Sequence, residues 1–337
     1  MTRAPAPVHR RKSRRFLSLS LVLSSVVVAC GGTLDAGKDE TKGLLPVDAR
    51  NPIVLLNDGP YDNWQGEYAM LFASTGVLSL AGIVVDSSPV AKSLDDNAAG
   101  WQKMVAAARQ SGMSNIPDPL TSSGLALVQP SDGNIDATAP NNSEGARFII
   151  ETSERLALPF RPLVVLAGTR LTDVADAYLI DPGVTDRVVV VSSLGTTTAD
   201  GAVMGAPNGE MDHWADVIVA TKFRYVQVSA FYDQKADLPS SLIPQLPTNS
   251  FTSFIQSKQS LIYDDVYASD QVGVLAVGVP LFASAVVRAE QRGQDSNNLP
   301  TLFNNSTGPD WLVTKVNGAL ATANFWQMLL DPGTFQH

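Results

Sequence analysis

One cysteine and three histidines are all that 337 residues contain of thiolate and imidazole metal ligands. A lone cysteine excludes any disulfide within the chain and any zinc or iron–sulfur site built on thiolates. His9 lies near the start and His337 is the last residue, so only His213 remains in the body. That excludes a multi-histidine metal centre. A Ser-His-Asp or Cys-His mechanism would have to run through His213, and no Gly-x-Ser-x-Gly elbow accompanies it. Positive charge is scarce as well. Six of the 24 basic residues (Arg3, Arg10, Arg11, Lys12, Arg14 and Arg15) stand among the first 29 residues, where there is no acid. Beyond them, 18 basic side chains face 33 acidic ones. Such a chain repels phosphate backbones, which argues against a nucleic-acid partner. A content of 45% hydrophobic and 17% charged residues suits a globular protein with a substantial core. Whatever chemistry it performs falls to carboxylates.

The basic cluster precedes an apolar run from Phe16 to Ala29, interrupted only by serines. At helical rise that run reaches roughly 21 Å, short of the roughly 30 Å of a bilayer core, so it reads as the apolar region of a signal peptide. It ends Val27-Val28-Ala29-Cys30-Gly31, which resembles a bacterial lipobox, and the only cysteine stands at the lipidation position. Residues 1–29 are therefore expected to be a lipoprotein signal. Residues 30–50 are expected to be a lipidated Cys30 with a solvated Gly-, Asp-, Lys- and Thr-rich tether, and residues 51–337 the folded domain. The expected location is a bacterial cell envelope, with the chain lipid-anchored to a membrane and facing the periplasm or exterior.

Along the body, short apolar runs alternate with helical spacing. Strands are expected at Pro52–Asn57, Leu80–Val85, Pro162–Ala167, Val188–Val191 and Tyr225–Ser229. Helices are expected at Glu67–Ala73, Trp101–Arg109, Ala146–Leu156, Thr172–Leu179 and Trp214–Thr221. A polar stretch from Pro117 to Asn142 reads as a long surface insertion. This alternation implies a single-domain, doubly wound α/β fold with a mostly parallel sheet, whose ligands sit at the carboxyl ends of the strands. Asp58 and Asp62 fall just after the first strand, in Asn57-Asp58-Gly59-Pro60-Tyr61-Asp62-Asn63. Two carboxylates in such a turn can hold a hard cation or sugar hydroxyls, or can simply cap and solvate the turn.

Five segments, in order, resemble the inosine–uridine-preferring nucleoside hydrolases. The first is the Pro52–Asn57 strand with the Asp58/Asp62 loop, the Glu67–Ala73 helix and Gly82-Ile83. The next are Ala167-Gly168-Thr169-Arg170-Leu171-Thr172-Asp173-Val174-Ala175 with Asp181-Pro182, and Glu210-Met211-Asp212-His213-Trp214-Ala215-Asp216. The last are Ser269-Asp270-Gln271-Val272-Gly273-Val274-Leu275-Ala276 and Phe325-Trp326-Gln327-Met328-Leu329-Leu330. The resemblance implies a Rossmann-like nucleoside hydrolase fold and a calcium ion (Ca2+) held by Asp58, Asn63, the Gly168 carbonyl and Asp270. It further implies Asp58 as base for the attacking water, with Asp62, Glu210 and Asp212 on ribose hydroxyls. The implied activity is hydrolysis of the N-glycosidic bond of a nucleoside to ribose and free base, in a homo-oligomer. The chain departs from the family at Leu56 and Asn63, where the family has aspartates, at Ser269 in place of a histidine, and at Asp212 in place of an asparagine. Two functions therefore stay open: a calcium-dependent N-ribosyl hydrolase, and a non-catalytic lipoprotein that binds a ribosyl or sugar ligand or serves as a scaffold. Trp64, Tyr68 and Trp214 could stack on a base, although their spacing is that of core residues.

Overall fold

In the computed structural model, residues 45–61, 63–87, 93–201, 203, 205–228, 241–258, 270–279 and 281–330 are described. Cys30, Asp62 and Ser269 lie outside them, as does the expected signal peptide. The chain alternates β1 (Pro52–Asn57), α1 (Gln65–Ser74), β2 (Ser79–Val85), α2 (Leu94–Gln110), β3 (Pro119–Thr121), α3 (Glu144–Leu156), β4 (Leu163–Gly168), α4 (Thr172–Ile180) and β5 (Val188–Ser193). It continues through β6 (Thr197–Thr198), α5 (Pro207–Glu210), α6 (His213–Lys222), β7 (Arg224–Val228), α7 (Ser250–Lys258) and α8 (Gln271–Gly278). It closes with β8 (Ala283–Gln294), β9 (Pro300–Asn304), β10 (Asp310–Val316) and α9 (Gly318–Leu330).

Ten strands form one sheet in the order β3-β2-β1-β4-β5-β7-β10-β8-β9-β6. From β3 to β10 the neighbours run parallel, as expected for strands joined through helices. β8 pairs antiparallel with both β10 and β9, so the C-terminal part departs from the parallel pattern. The chain winds outward from β1 to β3 on one side and from β4 to β7 on the other. The direction of winding therefore reverses between β1 and β4, and in doubly wound sheets such a reversal opens the ligand crevice at the strands' carboxyl ends. In register, Asn57 at the end of β1 faces Gly168 at the end of β4.

Each central strand is apolar on both faces because helices cover both sides. Ile53 and Leu55 of β1, with Val164 and Leu166 of β4, pack into one core with α1, α2, α7, α8 and α9. Val54 and Leu56, with Leu163, Val165 and Ala167, pack into the other with α3, α4 and α6. Helix α1 is buried along all ten of its residues. Its Tyr68 ring stacks on Phe325 of α9 with centroids 3.9 Å apart. Trp64 and Tyr68 belong to the first core and Trp214 to the second, where its indole N–H donates to Thr138 Oγ1 at 2.9 Å. All three aromatics fill the core.

The 117–143 insertion is fastened to the sheet by a buried polar cluster. Arg170, just past β4, makes a two-pronged bond to Asp86, just past β2, at 2.8 and 2.7 Å, and also donates to the Gly124 carbonyl. Asp173 accepts from Ser122 Oγ at 2.8 Å, and Asp176 accepts from the Ser143 N–H at 2.8 Å. Burial, reinforced by the Asp86 charge, pushes the Asp173 carboxyl up to about 7, against the bond from Ser122 that pulls it down. A carboxyl raised in the folded state holds its proton there longer than in the unfolded chain. The stability it contributes is thus complete below the ordinary value of 3.8 and lost as pH rises toward about 7. Asp173→Asn keeps an oxygen to accept from Ser122 and removes the titration. Melting temperatures followed from pH 4 to 7 should fall less steeply in the variant than in the wild type, and equal slopes would contradict the assignment.

Candidate functional site

Four loops meet at the reversal between β1 and β4. Asp58, the first residue after β1, is 3% exposed. Asn57 before it turns inward. Its amide nitrogen donates to Gln65 Oε1 at 2.7 Å and approaches the Gly168 carbonyl at 3.5 Å, while its oxygen accepts the Gly59 N–H at 2.9 Å. These bonds curl the chain directly from the strand into the 58–63 loop. A Cβ on Gly168 would come within 2.3 Å of the Asp270 Cβ and 2.5 Å of Gln65 Oε1. Only glycine allows the end of β4 to approach the start of α8 this closely.

Asp270, immediately before α8, is 7% exposed, and both carboxylate oxygens accept amide protons. Asn63 Nδ2 donates to one at 3.1 Å and Asn208 Nδ2, from α5, to the other at 2.9 Å. The Asn63 amide is oriented by its own oxygen, which accepts the Gln65 N–H at 3.0 Å at the start of α1. Its nitrogen must then face Asp270. Asn208 Nδ2 also donates to the Ser193 carbonyl at the end of β5, at 2.8 Å, which fixes it in the same way.

Lys258, at the end of α7, holds the loop from below. Its ammonium has no exposure. It donates to the carbonyls of Pro60 and Asn63, each at 2.6 Å, and pairs with Glu67 of α1 at 2.5 Å. It also lies 4.4 Å from the centroid of the Trp64 ring.

Of the residues expected at the site, Asn63 and Asp270 are joined by a hydrogen bond, and Gly168 packs against Asp270. Asp58 follows Asn57 at the same edge, and Asp62 lies outside the described residues. Asp212 and Glu210 do not join that hydrogen-bonded group. Asp212 caps α6 by accepting the Ala215 N–H at 3.1 Å, and its second oxygen accepts from Leu127 N at 2.9 Å and Thr172 Oγ1 at 2.7 Å. Glu210 is exposed and His213 half-buried. Leu56, where the family has an aspartate, lies fully buried in the second core. Three site residues were not anticipated: Asn57, Asn208 and Lys258. An Asp placed two residues before Trp214 at a helix start is a capping signal. Reading it as one would have moved the candidate polar group back one turn, toward Asn208.

Calcium, which the sequence resemblance implies, takes six to eight oxygen ligands. Asn63 and Asp270, as they are placed, do not fit it. Both Asp270 oxygens face amide N–H groups, and the Asn63 oxygen points to a backbone N–H. No group of three or more His, Cys, Asp or Glu among the described residues is arranged to hold a metal ion.

No family model matches the chain, and no curated protein matches it in sequence. Solved structures do match in fold. An inosine–guanosine nucleoside hydrolase aligns with a TM-score of 0.60 at 15% identity, covering 83% of this chain and 99% of that one. The inosine–uridine-preferring nucleoside hydrolase of Bacillus anthracis aligns with a TM-score of 0.55 at 14% identity, covering 85% of this chain and 99% of that one. The type III effector protein XopQ, described in complex with adenosine diphosphate ribose, aligns with a TM-score of 0.53 at 14% identity, covering 86% and 96%. The chain therefore has the nucleoside hydrolase fold over nearly all of its folded part.

Proposed function

We propose that the chain binds a nucleoside or another ribosyl compound in the crevice between the carboxyl ends of β1 and β4. The observation that carries this reading is the meeting of Asp58, Gly168 and the amide-bridged Asp270 at the reversal of the sheet. The vicinal hydroxyls of a furanose are donors that suit such acceptors. The fold neighbours support it, since they are nucleoside hydrolases and an effector described with adenosine diphosphate ribose. We further propose that Asp62, in the same loop, takes a ribose hydroxyl, and that Cys30 tethers the chain to an envelope membrane. Cys30→Ala should release the protein into the soluble fraction or leave the precursor uncut. Unchanged fractionation and unchanged mature mass would dismiss the tether.

Cleavage of the N-glycosidic bond is the second reading, and the position of Asp58 favours it. A carboxylate buried at the ligand edge can take the proton of an attacking water, and nearby carboxylates favour the positive charge of an oxocarbenium-like state. The test measures binding of adenosine and inosine by calorimetry and release of ribose, in wild type and in Asp58→Asn. Binding without ribose release supports the binding protein. Release that drops about a hundredfold or more in the variant assigns hydrolysis to Asp58. Neither binding nor release would dismiss both readings.

A further inference from the structure

We infer that the amides of Asn63 and Asn208 stand in for a cation, so that this pocket holds its ligand's vicinal hydroxyls by hydrogen bonds alone. The inference rests on the ribosyl-binding reading for its ligand, and on the bonds around Asp270 for its chemistry. A divalent ion between carboxylates does two things: it offsets their charge, and it fixes their direction. Here both tasks are done by the chain. Each Asp270 oxygen receives one amide N–H, at 3.1 Å from Asn63 and 2.9 Å from Asn208, and bonds to a charged acceptor are among the stronger ones.

The donors themselves are held in place. Asn63 is locked by the Gln65 N–H and Asn208 by the Ser193 carbonyl, while Ser193 Oγ donates to the Asp270 carbonyl at 3.3 Å. The loop is also tied from within the protein by Lys258, whose charge Glu67 balances. The Lys258 ammonium bonds the carbonyls of Pro60 and Asn63 on the segment that carries the site. A calcium ion entering between Asn63 and Asp270 would have to turn the Asn63 amide over and break its bond to Gln65. A cation gripped by both Asp270 oxygens would also crowd the Asn208 N–H on the second of them. Among the described residues, hydrogen bonds occupy the place between Asn63 and Asp270.

The experiment titrates calcium into the full-length protein by calorimetry and follows its melting temperature in EDTA and in excess calcium. The affinity for adenosine diphosphate ribose, used as the ribosyl probe, is measured under both conditions. The expected result is no calcium binding, the same melting temperature, and probe affinities equal within about twofold. Asn208→Ala should weaken the probe about tenfold in both conditions, which corresponds to about 1.4 kcal/mol. Asn208→Gln, which keeps the amide, should recover part of that loss if the variant's fold is intact. Calcium binding with a raised melting temperature in the wild type would overturn the inference, as would loss of probe binding in EDTA. No probe binding in either condition would overturn the ribosyl reading, while the calcium titration would still decide the question of the cation.

Discussion

Lys258→Met should lower the stability of the folded chain by about 3–5 kcal/mol, the usual effect of removing one partner from a buried ion pair. The lysine ammonium and the Glu67 carboxylate are both without exposure and 2.5 Å apart. Methionine fills most of the lysine's volume, so the loss is mainly electrostatic. Glu67 is left inside α1 without the ammonium and must stay charged or take up a proton, either at a cost, and the carbonyls of Pro60 and Asn63 lose their donor. The total stability of a domain is about 5–15 kcal/mol, so this single change removes a large share of it. The 58–63 loop, tied to α7 by those two carbonyl bonds, should loosen with it, and ribosyl binding should weaken in parallel. Combining Lys258→Met with Glu67→Leu removes the stranded charge. The double variant should regain most of the lost stability but not the loop's two bonds, leaving a deficit of about 1–3 kcal/mol. Urea midpoints for the wild type, the two single variants and the double variant measure this. A double variant as unstable as the single one would show that the ion pair is not the source of the effect.

That pair also shows where the sequence stops being legible. The first strand was readable at Pro52–Asn57 because six apolar or small-polar residues end in Asp-Gly-Pro, and the observed strand has the same bounds. The central strands and most helices were readable for the same reason: full burial leaves a continuous apolar run, and a cap leaves a polar one. Helix α2 begins at Leu94, seven residues before the expected Trp101, because Ser93 caps it, its hydroxyl oxygen accepting the Asp96 N–H, a cap not included in the expected helix. Strands β8 and β10 carry Arg288, Glu290, Gln291 and Lys315 at half-covered or exposed positions, so no clear apolar pattern marks them. At the site, Asp58, Asn63, Gly168 and Asp270 could be found because a strand end followed by Asp-Gly-Pro marks a ligand edge and the resemblance marks its partners. Lys258 could not. A lysine in the last turn of a helix reads as a charge placed to favour the helix dipole, and only the packing of α7 against the 58–63 loop reveals three bonds to it.

Asn63→Asp should give the chain a dependence on calcium that the wild type lacks. The substitution keeps an oxygen to accept the Gln65 N–H, so the start of α1 is preserved. It replaces the N–H that now meets Asp270 at 3.1 Å by an acceptor, which brings two carboxylates to the same spacing. In EDTA at neutral pH the lost bond and the like charges should cost about 1–3 kcal/mol. Two carboxylates at this distance retain a proton between them, which raises the folded-state value for the pair. Stability is then greatest in acid and falls as pH rises through that raised value, the reverse of a carboxylate held by a cation or an N–H donor. Calcium should cancel the penalty, because the new oxygens become ligands beside Asp270. At about a hundred times its dissociation constant, calcium would add about 2.7 kcal/mol to a site that binds only in the folded state. Calcium titration with melting curves in EDTA and in excess calcium, for both proteins, measures the difference. A variant that is destabilised in EDTA, improved by acid and rescued by calcium would assign the Asn63–Asp270 contact to the place where a cation would sit. No response to calcium in either protein would mean that this contact is an ordinary helix-end bond, and an equal stabilisation of both would overturn the cation-free site.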